Sequence, residues 1–153
     1  MLYYRIQNEK LIDWADFQYA EDCLTTNLCD MSTLDNEPNY LIVKNGKLEI
    51  NPNYEQEKKD KERQELDQLS LTPADVERAL YKAKGMDFED LKTLIAEKIP
   101  NIDLKGLAIE FRAKDFFRGA TASGIRLFDI VGQLLGYTPD DMDYLFQNGE
   151  LPQ

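Results

Sequence analysis

Alternating apolar and polar residues in the first third of the chain predict β-strands. Residues 40–44 and 47–51 have this pattern and flank Asn45-Gly46. Asn and Gly tolerate positive φ and favour the type I′ turn of a two-residue hairpin, so we predict a β-hairpin here. Residues 2–7 are predicted as a partner strand. Residues 16–24 fit either another strand or a short helix.

Charged residues of both signs crowd residues 54–69, with few apolar positions before Leu66 and Leu69. Opposite charges one helical turn apart stabilise an exposed helix by about 0.3 kcal/mol per pair. We therefore interpret this segment as a connecting helix. Its role is either that of a solvated linker or that of a coiled-coil-like docking arm.

Apolar residues at helical spacing, with clear start and stop signals, predict helices from residue 71 onward. Thr72-Pro73 and Thr138-Pro139 each place an N-cap before a proline at the first helical position. Gly85 and Gly136 suit the left-handed residue that ends a helix. Helices are predicted from residue 73 to Gly85, and over residues 87–99, 102–117, 124–135 and 139–148.

The apolar positions of these helices should form a shared core, and short connections favour antiparallel neighbours. The predicted core residues are Val76, Leu80, Leu91, Leu94, Leu107, Phe111, Leu127, Ile130, Val131, Leu134, Leu145 and Phe146. The predicted fold class is α+β: an N-terminal antiparallel β unit with a hairpin (residues 1–53), a charged connecting helix (54–70), and a C-terminal bundle of four or five helices (71–153).

The composition points to a folded and acidic protein. The 153 residues are 42% hydrophobic and 31% charged, and the net charge is -11. Such a surface repels nucleic-acid phosphates and anionic membranes, so we expect basic protein surfaces as partners. Apolar runs are too short to cross a bilayer, and the first residues lack a secretion signal, so we expect a location in the cytoplasm. Cys23 and Cys29 are expected to be reduced structural thiols.

Candidate catalytic chemistry is scarce. The chain has no histidine, which removes the commonest general base and metal ligand. Asp140, Asp141 and Asp143 follow a helix start, where carboxylates favour the helix dipole. Gly119 and Gly124 have the spacing of a phosphate-binding loop without its lysine, so we interpret that segment as a helix connection. We therefore predict no enzymatic activity, no catalytic residue, no cofactor and no metal.

A one-signed charge pattern suggests the candidate binding surface. Between Leu11 and Val43 the chain has seven acidic residues and no lysine or arginine, and aromatic residues lie among them. Carboxylates with aromatic anchors can present phosphate-like charge to a basic groove. The alternative is that the aromatic residues belong to the core and the acids to its solvated face. The predicted partner-binding residues are Asp13, Trp14, Asp16, Phe17, Tyr19, Glu21, Asp22, Asp30, Asp35 and Glu37.

Four segments carry a resemblance to a known group of proteins: residues 69–85, 116–119, 130–137 and 143–146. Together with the charged helix that begins at Tyr54, they resemble a group of small, mostly uncharacterised bacteriophage and prophage proteins that are often encoded near tail genes. The resemblance implies a short β region, a charged helix and a helical tail, and it carries over no catalytic residue. A looser analogy links acidic phage proteins to inhibitors of host defence, including anti-CRISPR proteins.

These observations lead to two functional hypotheses. The first is a phage-encoded, non-enzymatic inhibitor that occludes a basic, nucleic-acid-binding surface of a host defence protein through residues 11–43. The second is a tail or tail-fibre assembly factor that binds a virion protein through its helical tail. Salt separates them, because exposed charges are screened over about 10 Å at 0.1 M ionic strength, whereas apolar docking is not.

Overall fold

The computed structural model describes all residues from Met1 to Gln153 and divides them into two compact units, Met1–Asp60 and Lys61–Gln153. The α+β fold class is confirmed. The first unit contains an antiparallel sheet, and the second contains a group of helices. None of the helices combines the length and the apolar character needed to span a membrane.

Three strands form the sheet of the first unit: β1 (Leu2–Gln7), β2 (Lys10–Ala15) and β3 (Leu24–Thr26). Their order is β2-β1-β3, and both pairings are antiparallel. Successive side chains of a strand point to opposite faces, so Leu2 and Tyr4 are buried in the core while Tyr3 and Arg5 lie on the other face. The prediction of a strand at residues 2–7 is confirmed.

The prediction for residues 16–24 is wrong, because residues 16–23 form neither a strand nor a helix. The partner strand β2 comes earlier in the chain. Its turn uses Asn8 and Glu9, both at positive φ (52° and 58°), without the glycine that usually marks such a turn. A bulge also interrupts the alternation of β2, because Arg5 pairs with Asp13 while the next residue of β1 pairs with Leu11.

A short helix and the predicted hairpin complete this unit: α1 (Met31–Asn36), β4 (Leu41–Lys44) and β5 (Lys47–Ile50). The hairpin prediction is confirmed, with Asn45 at φ 52° and Gly46 at φ 72°. Helix α1 was not predicted. The buried core of the unit consists of Leu2, Tyr4, Leu34, Leu41 and Leu48.

The charged segment forms helix α2 (Tyr54–Asp67), as predicted, and the division between the two units falls inside it. A two-residue strand follows, β6 (Ser70–Leu71). The remaining elements of the second unit are α3 (Pro73–Lys84), α4 (Phe88–Lys98), α5 (Leu104–Glu110), β7 (Phe116–Phe117), α6 (Leu127–Leu135) and α7 (Pro139–Asn148).

Most of the predicted helix signals are confirmed. Thr72, Asp87 and Thr138 are N-caps whose side chains accept a hydrogen bond from the backbone N–H three residues later. Gly85 and Gly136 end α3 and α6 in the left-handed conformation. These caps satisfy backbone groups that a helix end leaves without a partner.

Two predicted helices were too long. The helix expected over residues 102–117 ends at Glu110, and the one expected from residue 124 begins at Leu127. The chain leaves the helical path because Phe116 pairs with Leu71 as β7, and the backbone N–H of Gly119 donates to the carbonyl of Asp67. Tertiary pairing thus overrides an apolar pattern that favours a helix.

The core of the second unit joins α3, α4, α6 and α7 around a run of phenylalanines in edge-on or tilted contact. Nine of the twelve predicted core residues are buried, whereas Leu94, Ile130 and Leu134 are half-buried. On α4, Ile95 is fully buried in place of the predicted Leu94. Aromatic pairs of this kind contribute about 1 kcal/mol beyond the burial of their area.

Candidate protein-binding surface

The candidate surface is the acidic loop, which we define as residues 16–23 between β2 and β3. Tyr19 anchors this loop to the sheet, since its hydroxyl donates to a carboxylate oxygen of Asp13 on β2. Its ring also lies beneath the guanidinium of Arg5, at 5.6 Å from the ring centroid. A cation held over an aromatic face is attractive, so the loop is fixed at its middle.

The anchor is a three-residue polar cluster on the outer face of the sheet. Arg5 and Asp13 are paired across β1 and β2, and the Arg5 Nε atom donates to both Asp13 carboxylate oxygens at 3.1 Å. The hydrogen bonds from Arg5 and Tyr19 lower the pKa of Asp13. Burial, together with the hydrogen bond to Asp13, raises the pKa of Tyr19, so this hydroxyl stays protonated and keeps donating.

The remainder of the acidic loop presents free charge and an aromatic ring. Asp16, Glu21 and Asp22 are exposed, and none of them makes a side-chain hydrogen bond or an ion pair. Phe17 is 63% exposed and contacts the Tyr19 ring edge-on, with 6.4 Å between the ring centroids. The loop therefore combines unneutralised carboxylates with an exposed apolar side chain, and Tyr19 fixes the loop to the sheet.

The other predicted binding residues have partners within their own unit. The Trp14 indole N–H donates to Asp35 at 2.7 Å, and Asp30 caps helix α1 through the Thr33 backbone N–H. Glu37 pairs with Lys58 of α2 at 2.8 Å. Hydrogen bonds from Thr33 lower the pKa of Asp30, and those from Lys58 and Tyr54 lower the pKa of Glu37.

The structure places the two predicted residues of β2, Asp13 and Trp14, on opposite faces of the sheet. Asp13 lies on the outer face with Arg5, whereas its neighbour Trp14 pairs with Tyr4 and packs against the core. Asp16, Phe17, Glu21 and Asp22 remain exposed and available within the acidic loop. The sequence missed the neutralising cations because Arg5 and Lys58 lie outside the run without basic residues.

A second polar cluster, in the second unit, is the Arg/Asp ring. Three arginines and three aspartates alternate so that each side chain contacts two of opposite charge. In order around the ring they are Asp143, Arg63, Asp67, Arg126, Asp129 and Arg118. The contacts are 2.6 to 2.9 Å long, and Arg118 is fully buried.

The Arg/Asp ring has no net charge, because each charged side chain contacts two of opposite sign. The hydrogen bond from Arg126 lowers the pKa of Asp67. Burial alone would raise the pKa of Asp129, but the hydrogen bond from Arg126 and the adjacent positive charge of Arg118 outweigh it and lower that pKa. The ring joins α2, α6 and α7 through Arg118, the residue that follows β7, and we interpret it as structural.

Sequence reasoning overlooked the ring, although a partial signal was present. Arg63 and Asp67, and likewise Arg126 and Asp129, have the spacing of side-chain neighbours on a helix. Asp143 was assigned to helix capping with Asp140 and Asp141, but only Asp141 completes a capping box. The closure of the ring through Arg118 depends on the β6–β7 pairing, which no local pattern indicates.

The chain has no group of three or more His, Cys, Asp or Glu side chains placed to hold a metal ion. Cys23 and Cys29 are both free thiols. No protein-family model, curated protein or solved structure matches this chain.

Proposed function

We propose that this chain is a non-enzymatic binding protein whose acidic loop docks onto a basic surface of a partner protein. The observation that carries the proposal is the pairing of three unneutralised carboxylates with the exposed Phe17 ring in one anchored loop. Aromatic side chains supply much of the contact energy at protein interfaces, and surrounding charges select the partner.

The anchor supports this proposal because it reduces the cost of binding. A free loop loses conformational entropy when it is ordered at an interface. Here Tyr19 already fixes the middle of the loop through Asp13 and Arg5, so the backbone near Phe17 is ordered before a partner binds. A net charge of -11 over the chain also favours rapid encounter with cationic surfaces.

The class of partner follows from charge together with the resemblance to phage proteins. Surfaces that bind nucleic acids are rich in lysine and arginine, and a carboxylate-rich loop offers them a substitute for phosphates. We propose that the chain inhibits a host defence protein in the host cytoplasm by covering such a surface.

Charge reversal within the acidic loop tests the proposal. Immobilised chain is used to capture proteins from a bacterial lysate, and the captured protein is purified and titrated with the double variant D16K/E21K. Both residues are exposed and unpaired, so the fold should be preserved. We expect the dissociation constant to rise at least about tenfold, equivalent to about 1.4 kcal/mol.

The matched control is D60K/E97K, which changes the net charge by the same amount at exposed positions outside the acidic loop. It should change the dissociation constant by less than about threefold, because distant exposed charges are screened. Labelled DNA or RNA bound to the captured protein should be displaced by the wild-type chain and not by D16K/E21K. Equal weakening by both variants would show that only net charge matters.

A second candidate function is that of a tail or tail-fibre assembly factor acting through the helical unit. It is favoured by large apolar side chains that are more than half exposed there. These are Tyr81, Leu104, Ile109 and Phe117. Binding through such side chains would keep its strength as salt rises, which distinguishes it from docking through the acidic loop.

A further inference from the structure

We infer that a groove between α2 and α7 binds a protein segment that presents apolar side chains next to a lysine or arginine. The groove has a volume of about 550 Å³. It shares no residue with the acidic loop, so this inference does not rest on the proposed function. Its lining residues are Glu62, Glu65, Leu66, Leu69, Phe146 and Gln147.

The floor of the groove is apolar. Phe146 of α7 is 4% exposed, and Leu66 and Leu69 are half-buried beside it. The volume is sufficient for one or two large side chains of a partner and lies within the usual range of binding pockets, about 300–1,000 Å³. Apolar side chains are therefore the natural occupants of the floor.

The rim of the groove is acidic. Glu62 and Glu65 are exposed, and no lysine or arginine lines the groove. The nearest cation to Glu65 is Lys61 at 4.0 Å, in a pair so exposed that its strength is small. A cationic side chain of a partner would complement this rim. A second copy of this chain is disfavoured, because two molecules of net charge -11 repel each other.

The groove is already formed in the free chain. Arg63 lies beside Glu62 on α2, and its two terminal nitrogens donate to both oxygens of Asp143 on α7 at 2.9 and 3.0 Å. Asp143 is one helical turn before Phe146. A bidentate pair of this kind fixes the relative orientation of the two side chains as well as their distance. Helices α2 and α7, which form the walls of the groove, are therefore held in place before a partner binds.

A peptide titration tests the inference. The probe is a fluorescein-labelled synthetic peptide with two leucines one helical turn apart, flanked by lysines, and its binding to the full chain is followed by fluorescence anisotropy. We expect saturable binding that weakens at least about tenfold in E62Q/E65Q, since the rim charges are removed. Amide chemical-shift changes on peptide addition should map to residues 62–69 and 143–148.

Two controls make the result decisive. The variant D60N/E97Q removes the same charge at exposed positions outside the groove and should bind like the wild type. A peptide whose leucines are replaced by serines should not bind. The inference is overturned if the leucine peptide fails to bind or if the serine peptide binds equally well. It is also overturned if sedimentation shows that the chain self-associates and that E62Q/E65Q changes this association, since a second copy would then occupy the groove.

Discussion

Arg118 has a fully buried charge, which a folded protein tolerates only when the charge is compensated. Its Nε atom donates to Asp143 at 2.6 Å, and its Nη1 atom lies 2.8 Å from Asp129. The Nη2 atom donates to the backbone carbonyl of Pro139 at 3.2 Å. Gly119 follows directly, and a Cβ atom there would meet the Asp67 Cβ atom at 2.9 Å. The chain must therefore approach α2 closely for the ring to form.

The substitution Asp143→Asn tests the structural role of the Arg/Asp ring. Asparagine keeps the shape of the side chain but loses its charge, so Arg118 and Arg63 are left undercompensated. We expect the free energy of unfolding to fall by about 3 kcal/mol, as measured by denaturant titration. The control Asp140→Asn, at an exposed position of the same helix, should cost less than about 1 kcal/mol. Similar losses in the two variants would contradict this interpretation.

At the scale of elements, helix caps and turns can be predicted from the local sequence, whereas pairings between distant segments cannot. The caps at Thr72, Asp87 and Thr138, and the hairpin turn at Asn45, follow from residue chemistry within four positions, and the sequence predicted them. Strand β7 exists only because Phe116 pairs with Leu71, which is distant along the chain. Such a pairing leaves no periodic pattern, so the helix predicted there was too long.

The same reasoning applies to the candidate surface. The sequence indicated an acidic and aromatic segment, and four of its residues remain exposed in the acidic loop. It could not indicate that Asp13 and Trp14 face opposite sides of β2, because the strand itself was not predicted. Nor could it show that Arg5 and Lys58 neutralise two of the carboxylates.

Helix α7 offers a test of the capping argument. Thr138 accepts a hydrogen bond from the Asp141 backbone N–H, and the Asp141 carboxylate accepts one from the Thr138 N–H at 2.8 Å. The substitution Thr138→Ala removes one half of this box and should lower the free energy of unfolding by about 1 kcal/mol. Thermal or denaturant unfolding measures the loss. Thr138→Ser should restore most of the stability, and an equal loss in both variants would count against a capping role.

At the scale of the whole molecule, the two units display different kinds of surface. The first unit presents the anchored acidic loop, and the second presents apolar side chains and a groove with an acidic rim. We propose cationic partners for the acidic loop and for the groove, in keeping with a net charge of -11. Electrostatic attraction of this kind acts mainly on the rate of encounter and is weakened by salt.

The most direct test of binding through the acidic loop is the association rate constant with the captured partner, measured by stopped flow as ionic strength rises. Between about 0.05 M and about 0.3 M salt the rate constant should fall at least about tenfold for the wild type, because salt reduces the distance over which the loop charges attract the partner. The dependence should be much shallower for D16K/E21K. An association rate constant that does not change with salt, at undiminished affinity, would contradict binding through the acidic loop.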